Sequence, residues 1–127
     1  MKSSRKGKLA VVVEDDRLVL EATGSLLRSW GCRVVAAECC GEAIAKLSEL
    51  GERPDLIVCD YRLPQGPNGV DAIEMLRGAS EIPAFLISAD ASSPGDEDGG
   101  CGYRLLHKPV NPKQFRALLV DASVLAS

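Results

Sequence analysis

Short apolar runs alternate with segments of helical period, and this alternation constrains the fold more than any other feature of the chain. The runs are Leu9–Val13, Arg33–Ala37, Leu56–Cys59, Ala84–Ile87 and Tyr103–Leu106. Each is rich in Val, Ile or Leu, and none alternates cleanly between apolar and polar residues. Strands buried on both faces read this way. The segments between them are amphipathic. The first places Val19, Ala22, Leu26 and Trp30 on one face and stops at Gly31. The second places Ala43, Ile44, Leu47 and Leu50 together before Gly51, and the third Val70, Ile73 and Leu76. The last opens Asn111-Pro112-Lys113-Gln114, which predicts an N-cap, a proline at the first helical position and a Gln reaching back. Its face is Phe115, Leu118, Leu119 and Ala122. Strands and helices in this order predict an α/β chain, a parallel sheet wrapped by helices on both sides.

The pattern breaks once. Ala91–Gly102 holds Pro94, Gly95, Gly99, Gly100 and Gly102 around Asp96, Glu97 and Asp98. That composition predicts a loop, or one turn at most, where a fourth helix is due. The length of 127 residues suits one domain, with 46% apolar and 26% charged residues to divide between core and surface. Residues 1–8 carry Lys2, Arg5, Lys6 and Lys8 and read as a disordered basic tail before a folded unit over 9–127. No apolar run approaches the roughly 18–20 residues that span a bilayer, and Leu9–Val13 is too short an apolar stretch for a secretory signal. A net charge of -3 argues against nucleic acid as a direct partner. The five cysteines, Cys32, Cys39, Cys40, Cys59 and Cys101, form no CxxC pair. They suit small hydrophobes in a reducing cytoplasm better than a disulfide framework or a zinc site.

Ligands of open α/β sheets sit beyond the carboxyl ends of the strands. After the first strand come Glu14, Asp15 and Asp16; after the third, Asp60; after the fourth, Ser88; after the fifth, Lys108. The second strand ends in Glu38, Cys39 and Cys40, but should lie at the sheet edge. Two carboxylates about 4 Å apart repel by roughly 4 kcal/mol at an effective dielectric near 20, so a cluster of three calls for a cation. Oxygen ligands alone favour a hard ion such as Mg²⁺. A carboxylate nucleophile, a metal, a lysine and a hydroxyl are what phosphoryl transfer needs. Taken singly, each residue has a bland role: Asp16 as a helix cap, Asp60 as a turn start, Lys108 as a strand end. Their joint arrival at the correct strand ends argues for chemistry. A haloacid-dehalogenase-like phosphohydrolase would want a second Asp where Arg62 stands. A flavin or nucleotide binder would not place three acids in its phosphate loop.

The runs Val11-Val12-Val13-Glu14-Asp15-Asp16, Val58-Cys59-Asp60-Tyr61-Arg62-Leu63-Pro64, Asn68-Gly69, Ile87-Ser88-Ala89 and His107-Lys108-Pro109-Val110 together resemble the receiver domains of two-component response regulators, over about Leu9 to Leu119. The flavour is closest to receivers attached to hybrid sensor histidine kinases. The resemblance implies a flavodoxin-like doubly wound sheet of five parallel strands in the order 2-1-3-4-5, its fourth helix shortened or missing here. It implies that Asp60 accepts a phosphoryl group from a phosphohistidine of a histidine kinase or phosphotransfer domain, and that the chain is a signalling switch rather than an enzyme. Glu14, Asp15, Asp60 and the backbone carbonyl of Arg62 would hold Mg²⁺ or Mn²⁺. Ser88 would bond a phosphoryl oxygen, with Ala89 and Asp90 beside it tuning the site. Lys108 would bridge carboxylate and phosphoryl group, ahead of a cis peptide to Pro109. The family's aromatic switch position is Leu105 here, and Tyr103 lies two residues earlier on the same strand face. The loop after Pro64 is about one residue longer than usual. Arg62 and Asp90 are expected to pair at the rim and slow water attack. No direct contact with nucleic acid or membrane is implied, and the oligomeric state stays open. A phosphorylation-independent docking pseudo-receiver is the alternative function.

Overall fold

The computed structural model describes residues 8–61, 69–78, 82–88, 104–107, 110–122 and 124. Within them the chain runs β1 (Leu9–Val13), α1 (Arg17–Ser29), β2 (Arg33–Ala37), α2 (Cys40–Leu50), β3 (Leu56–Asp60), α3 (Gly69–Arg77), β4 (Ala84–Ser88), β5 (Arg104–His107) and α4 (Pro112–Asp121). The five strands form one parallel sheet in the order β2-β1-β3-β4-β5, as expected. The expected basic tail and the glycine-rich stretch 91–102 lie outside the described residues, save Lys8 at the end of the tail.

The continuous apolar runs have a simple cause. Every residue of β1, β3 and β4 is buried, because helices cover both faces of the sheet. Leu9, Val11, Val13, Ile57, Cys59 and Leu86 face one core, which Ala43, Leu47, Ala72, Ile73 and Leu76 of α2 and α3 complete. Ala10, Val12, Val58, Phe85 and Ile87 face the other, completed by Leu20 and Leu27 of α1 and Phe115 and Leu119 of α4. In this second core Phe115 meets Trp30 edge-on at 5.7 Å between ring centroids, and Phe85 at 5.9 Å.

Strand ends and helix faces shift slightly from expectation. β3 and β4 each run one residue further than their apolar runs, so Asp60 and Ser88 close their strands instead of following them. β5 is described over Arg104–His107, and Tyr103, where its apolar run begins, lies outside the described residues. The buried stripe of α1 is Leu20, Thr23, Gly24 and Leu27, not Val19, Ala22, Leu26 and Trp30. Ala22 is exposed, while Val19, Leu26 and Trp30 are half-buried. Gly24 and Thr23 belong to the buried stripe, and apolar periodicity registers neither a glycine nor a threonine as a core position. On α2 the inward residues are Cys40, Ala43 and Leu47, while Ile44 and Leu50 of the expected face are 39% and 50% exposed. The end signals hold. Asp16 caps α1 and Asn111 caps α4 through side-chain oxygens, with Pro112 opening α4, and Gly51 ends α2 at φ 70°.

Candidate functional site

The acidic run after β1 is fixed by the sheet on one side and by α1 on the other. The Glu14 amide donates to the Ala37 carbonyl at 3.0 Å, so the β1–β2 ladder extends one residue past the strand. The Glu14 carboxylate accepts the Asp16 amide at 3.1 Å and is buried. Asp16 accepts the amides of Leu18 and Val19 at 3.0 and 3.3 Å, which starts α1 at this point. The expectation that Asp16 is a cap rather than a ligand agrees with those bonds. The positive end of the α1 dipole therefore points toward the carboxylates. Asp15, between them, is exposed.

Asp60 arrives from the next strand. It is 5% exposed and sits in register with Ile87 of β4. The Tyr61 amide donates to the Ile87 carbonyl at 2.8 Å, so the backbone is held on both sides of Asp60. One carboxylate oxygen from each of Glu14, Asp15 and Asp60 lies within 4.8 Å of the others. This all-oxygen set, two members buried and one open to solvent, fits a hard divalent cation such as Mg²⁺ or Mn²⁺ and suits softer metals poorly. Ser88, 2% exposed, closes the neighbouring strand and lies in register with His107. The sheet thus brings Glu14, Asp15, Asp60 and Ser88 to one end. Arg62, Ala89, Asp90, Tyr103, Lys108 and the Lys108–Pro109 peptide lie outside the described residues. Leu105 is half-buried and packs against the α2/α3 core.

Two neighbours of the cluster left no sign in the sequence. Arg17 at the start of α1 pairs with Glu38 past the end of β2, Nε to Oε2 at 2.9 Å. Spacing along the chain cannot announce such a pair. Cys59, next to Asp60, turns its side chain into the α2/α3 core, with its Sγ donating to the Asp60 carbonyl oxygen at 3.5 Å. Burial, then the nearby Cys40, Asp60 and Glu14, push its thiol far up. Burial likewise raises Cys32, with Asp55 adding to it, and Cys40, with Cys39 adding to it. A raised thiol holds less thiolate at neutral pH, and thiolate is the reactive form. Cys39 is half-exposed. In a Cys101→Ser background, a disulfide reagent should therefore label Cys39 first in the native chain. Cys32, Cys40 and Cys59 should react only after denaturant is added. Rapid native labelling of Cys59 would contradict its burial.

A family model for the response regulator receiver domain matches residues 10–120. The chain belongs to the response regulator receiver family. It is 32% identical over 111 residues to the DNA-binding response regulator MtrA of Mycolicibacterium paratuberculosis, a match covering 84% of this chain and 47% of that protein. It is 28% identical over 112 residues to the phyllosphere-induced regulator PhyR of Methylorubrum extorquens, covering 88% of this chain and 42% of the relative. A receiver protein from Sinorhizobium medicae superposes with a TM-score of 0.77 at 25% identity, covering 91% of this chain and 96% of that one. The receiver spans about half the length of these curated relatives. Receivers of this family are signalling domains of two-component response regulators, which interact with histidine kinases or phosphotransfer proteins and generally bind Mg²⁺ at an acidic pocket. No described helix of this receiver is long and apolar enough to cross a membrane.

Proposed function

We propose that this receiver is a phospho-accepting switch in which Asp60 takes a phosphoryl group from the phosphohistidine of a histidine kinase or phosphotransfer protein. The observation that carries the proposal is the convergence of Glu14, Asp15 and Asp60, with Ser88 closing the neighbouring strand one residue beyond Ile87, the register partner of Asp60. A carboxylate oxygen of Asp60 attacks phosphorus, the phosphorus–nitrogen bond breaks, and the electron pair leaves with the donor imidazole. Asp60 then carries an acyl phosphate, and water later returns the carboxylate and inorganic phosphate. Mg²⁺, when bound by Glu14, Asp15 and Asp60, supplies positive charge against the phosphoryl oxygens and the crowded carboxylates. The chain's own residues do the rest. The backbone pairing on both sides of Asp60 holds the nucleophile in place, which is most of what phosphoryl transfer asks of a protein. Ser88 presents a hydroxyl to a phosphoryl oxygen.

The Arg62 carbonyl as a further metal ligand and Lys108 as the bridging cation complete the proposed set. Ala89 and Asp90 tune the rim, with Arg62 and Asp90 paired there against water. Leu105 and Tyr103 are taken as the switch residues, and the folded unit is taken as 9–127. Leu18, 79% exposed on the first turn of α1, offers the donor protein an apolar contact beside the acidic site. Incubation with Mg²⁺ and a small acyl-phosphate donor should add one phosphoryl group per chain by intact mass spectrometry. Asp60→Asn should add none. Equal labelling of the two proteins would reject Asp60 as the acceptor.

A further inference from the structure

The outer edge of β2 carries a second feature, remote in purpose from phosphoryl chemistry. Among the described residues β2 pairs with β1 alone, at the end of the sheet. Arg33 donates to Lys8 and Ala37 accepts from Glu14, so residues 33, 35 and 37 turn their main chain inward. Residues 34, 36 and 38 therefore turn theirs outward. An outward row of amides and carbonyls is a template for another strand.

Two side chains of α2 occupy part of that template. Lys46 donates its Nζ to the Ala36 carbonyl at 2.7 Å. The Glu38 amide donates to Glu42 Oε1 at 2.8 Å. The two side chains also pair with each other at 3.2 Å, one helical turn apart. A strand laid along this edge would supply the same groups: an N–H to Ala36 and a C=O to Glu38. The carboxylate of Glu42 is held below the usual range, by the Glu38 amide first and by Lys46 second, so the acceptor is ionised at neutral pH. Beside the edge runs a trough of about 220 Å³ between α1 and α2, lined by Arg17, Arg28 and Lys46 and by Glu21, Glu38 and Glu42. Three cations and three anions make the trough neutral, on a chain of net charge -3.

We propose that the outer edge of β2 is a latent self-association edge, and that the Glu42–Lys46 pair keeps it closed. The occupant is a second copy of this chain, pairing β2 to β2 in antiparallel fashion. A two-fold contact brings one patch against itself, so a patch of balanced charge can satisfy its own ions while a patch of single sign would repel. Both guards are exposed at the surface, where an ion pair contributes little and yields to competition. Removing them exposes one main-chain donor and one acceptor, which the second copy then satisfies.

The test compares the full chain with the Glu42→Ala/Lys46→Ala double variant by sedimentation equilibrium. The readout needs neither metal nor phosphoryl group, so it is separable from the switch proposed above. The double variant should self-associate at least tenfold more tightly than the parent. At low concentration its Glu38 amide should exchange hydrogen at least tenfold faster, and protection should return as the dimer forms. The pair Glu42→Gln/Lys46→Arg keeps an acceptor and a donor and should behave as the parent does. Association of the alanine variant no tighter than the parent's would overturn the proposal. So would equal tightening in the conservative variant, because the guarding bonds would then be irrelevant.

Discussion

Asp60→Asn should make the metal-free receiver more stable, by about 2 kcal/mol in urea unfolding. Glu14 and Asp60 are both buried, and their nearest oxygens lie within 4.8 Å. Two like charges at that separation repel by roughly 3–4 kcal/mol at an effective dielectric of 20. The amide keeps the size and most hydrogen-bonding capacity of the carboxylate while removing its charge. The same change should erase the stabilisation that Mg²⁺ confers on the parent, which is about 2.7 kcal/mol at a hundred times the dissociation constant. The diagnostic outcome is the crossing: the variant more stable without Mg²⁺, the parent gaining with it. A variant less stable than the parent in both conditions would mean that Asp60 is held by attraction rather than crowded by repulsion. Urea titrations with and without Mg²⁺ at fixed ionic strength decide between them.

Phe115→Ala should cost about 4 kcal/mol, a large part of the roughly 5–15 kcal/mol that holds a domain of this size together. Phe115 has no exposed surface and contacts Trp30 and Phe85 edge-on, so it fastens α4 to both α1 and β4. Truncation leaves a cavity between rigid elements that cannot collapse. Because Trp30 is the chain's one tryptophan, its fluorescence should change in the folded variant and report the same transition. A cost below about 1 kcal/mol would mean that the second core tolerates repacking, contrary to the usual density of interiors. Thermal or urea unfolding followed at the Trp30 emission measures it.

Sheet and site were legible in the sequence for the same reason. A strand buried on both faces must be apolar throughout, so Val11, Ile57 and Leu86 announce their strands without any period. Polar residues at the ends of such runs then stand out, and topology alone brings Glu14, Asp15, Asp60 and Ser88 to one end. The inward face of α1 was not legible. Apolar periodicity ranks Val19 and Trp30 above Thr23 and Gly24, yet Thr23 and Gly24 are the buried ones. Ile44 and Leu50 mislead similarly, since they are apolar but exposed. The Arg17–Glu38 and Glu42–Lys46 pairs needed coordinates, because they join residues whose meeting depends on loop paths and helix rotation.

The most direct test of the central claim is titration of Mg²⁺ in the presence of beryllofluoride, a phosphoryl mimic whose tetrahedral beryllium takes a carboxylate oxygen as its fourth ligand. The parent chain should bind the two cooperatively, each tightening the other, with a saturable change in stability or fluorescence. Asp60→Asn should show neither binding nor coupling. Absence of binding by the parent at millimolar Mg²⁺ would contradict the phospho-accepting switch and favour a docking module that works without phosphorylation.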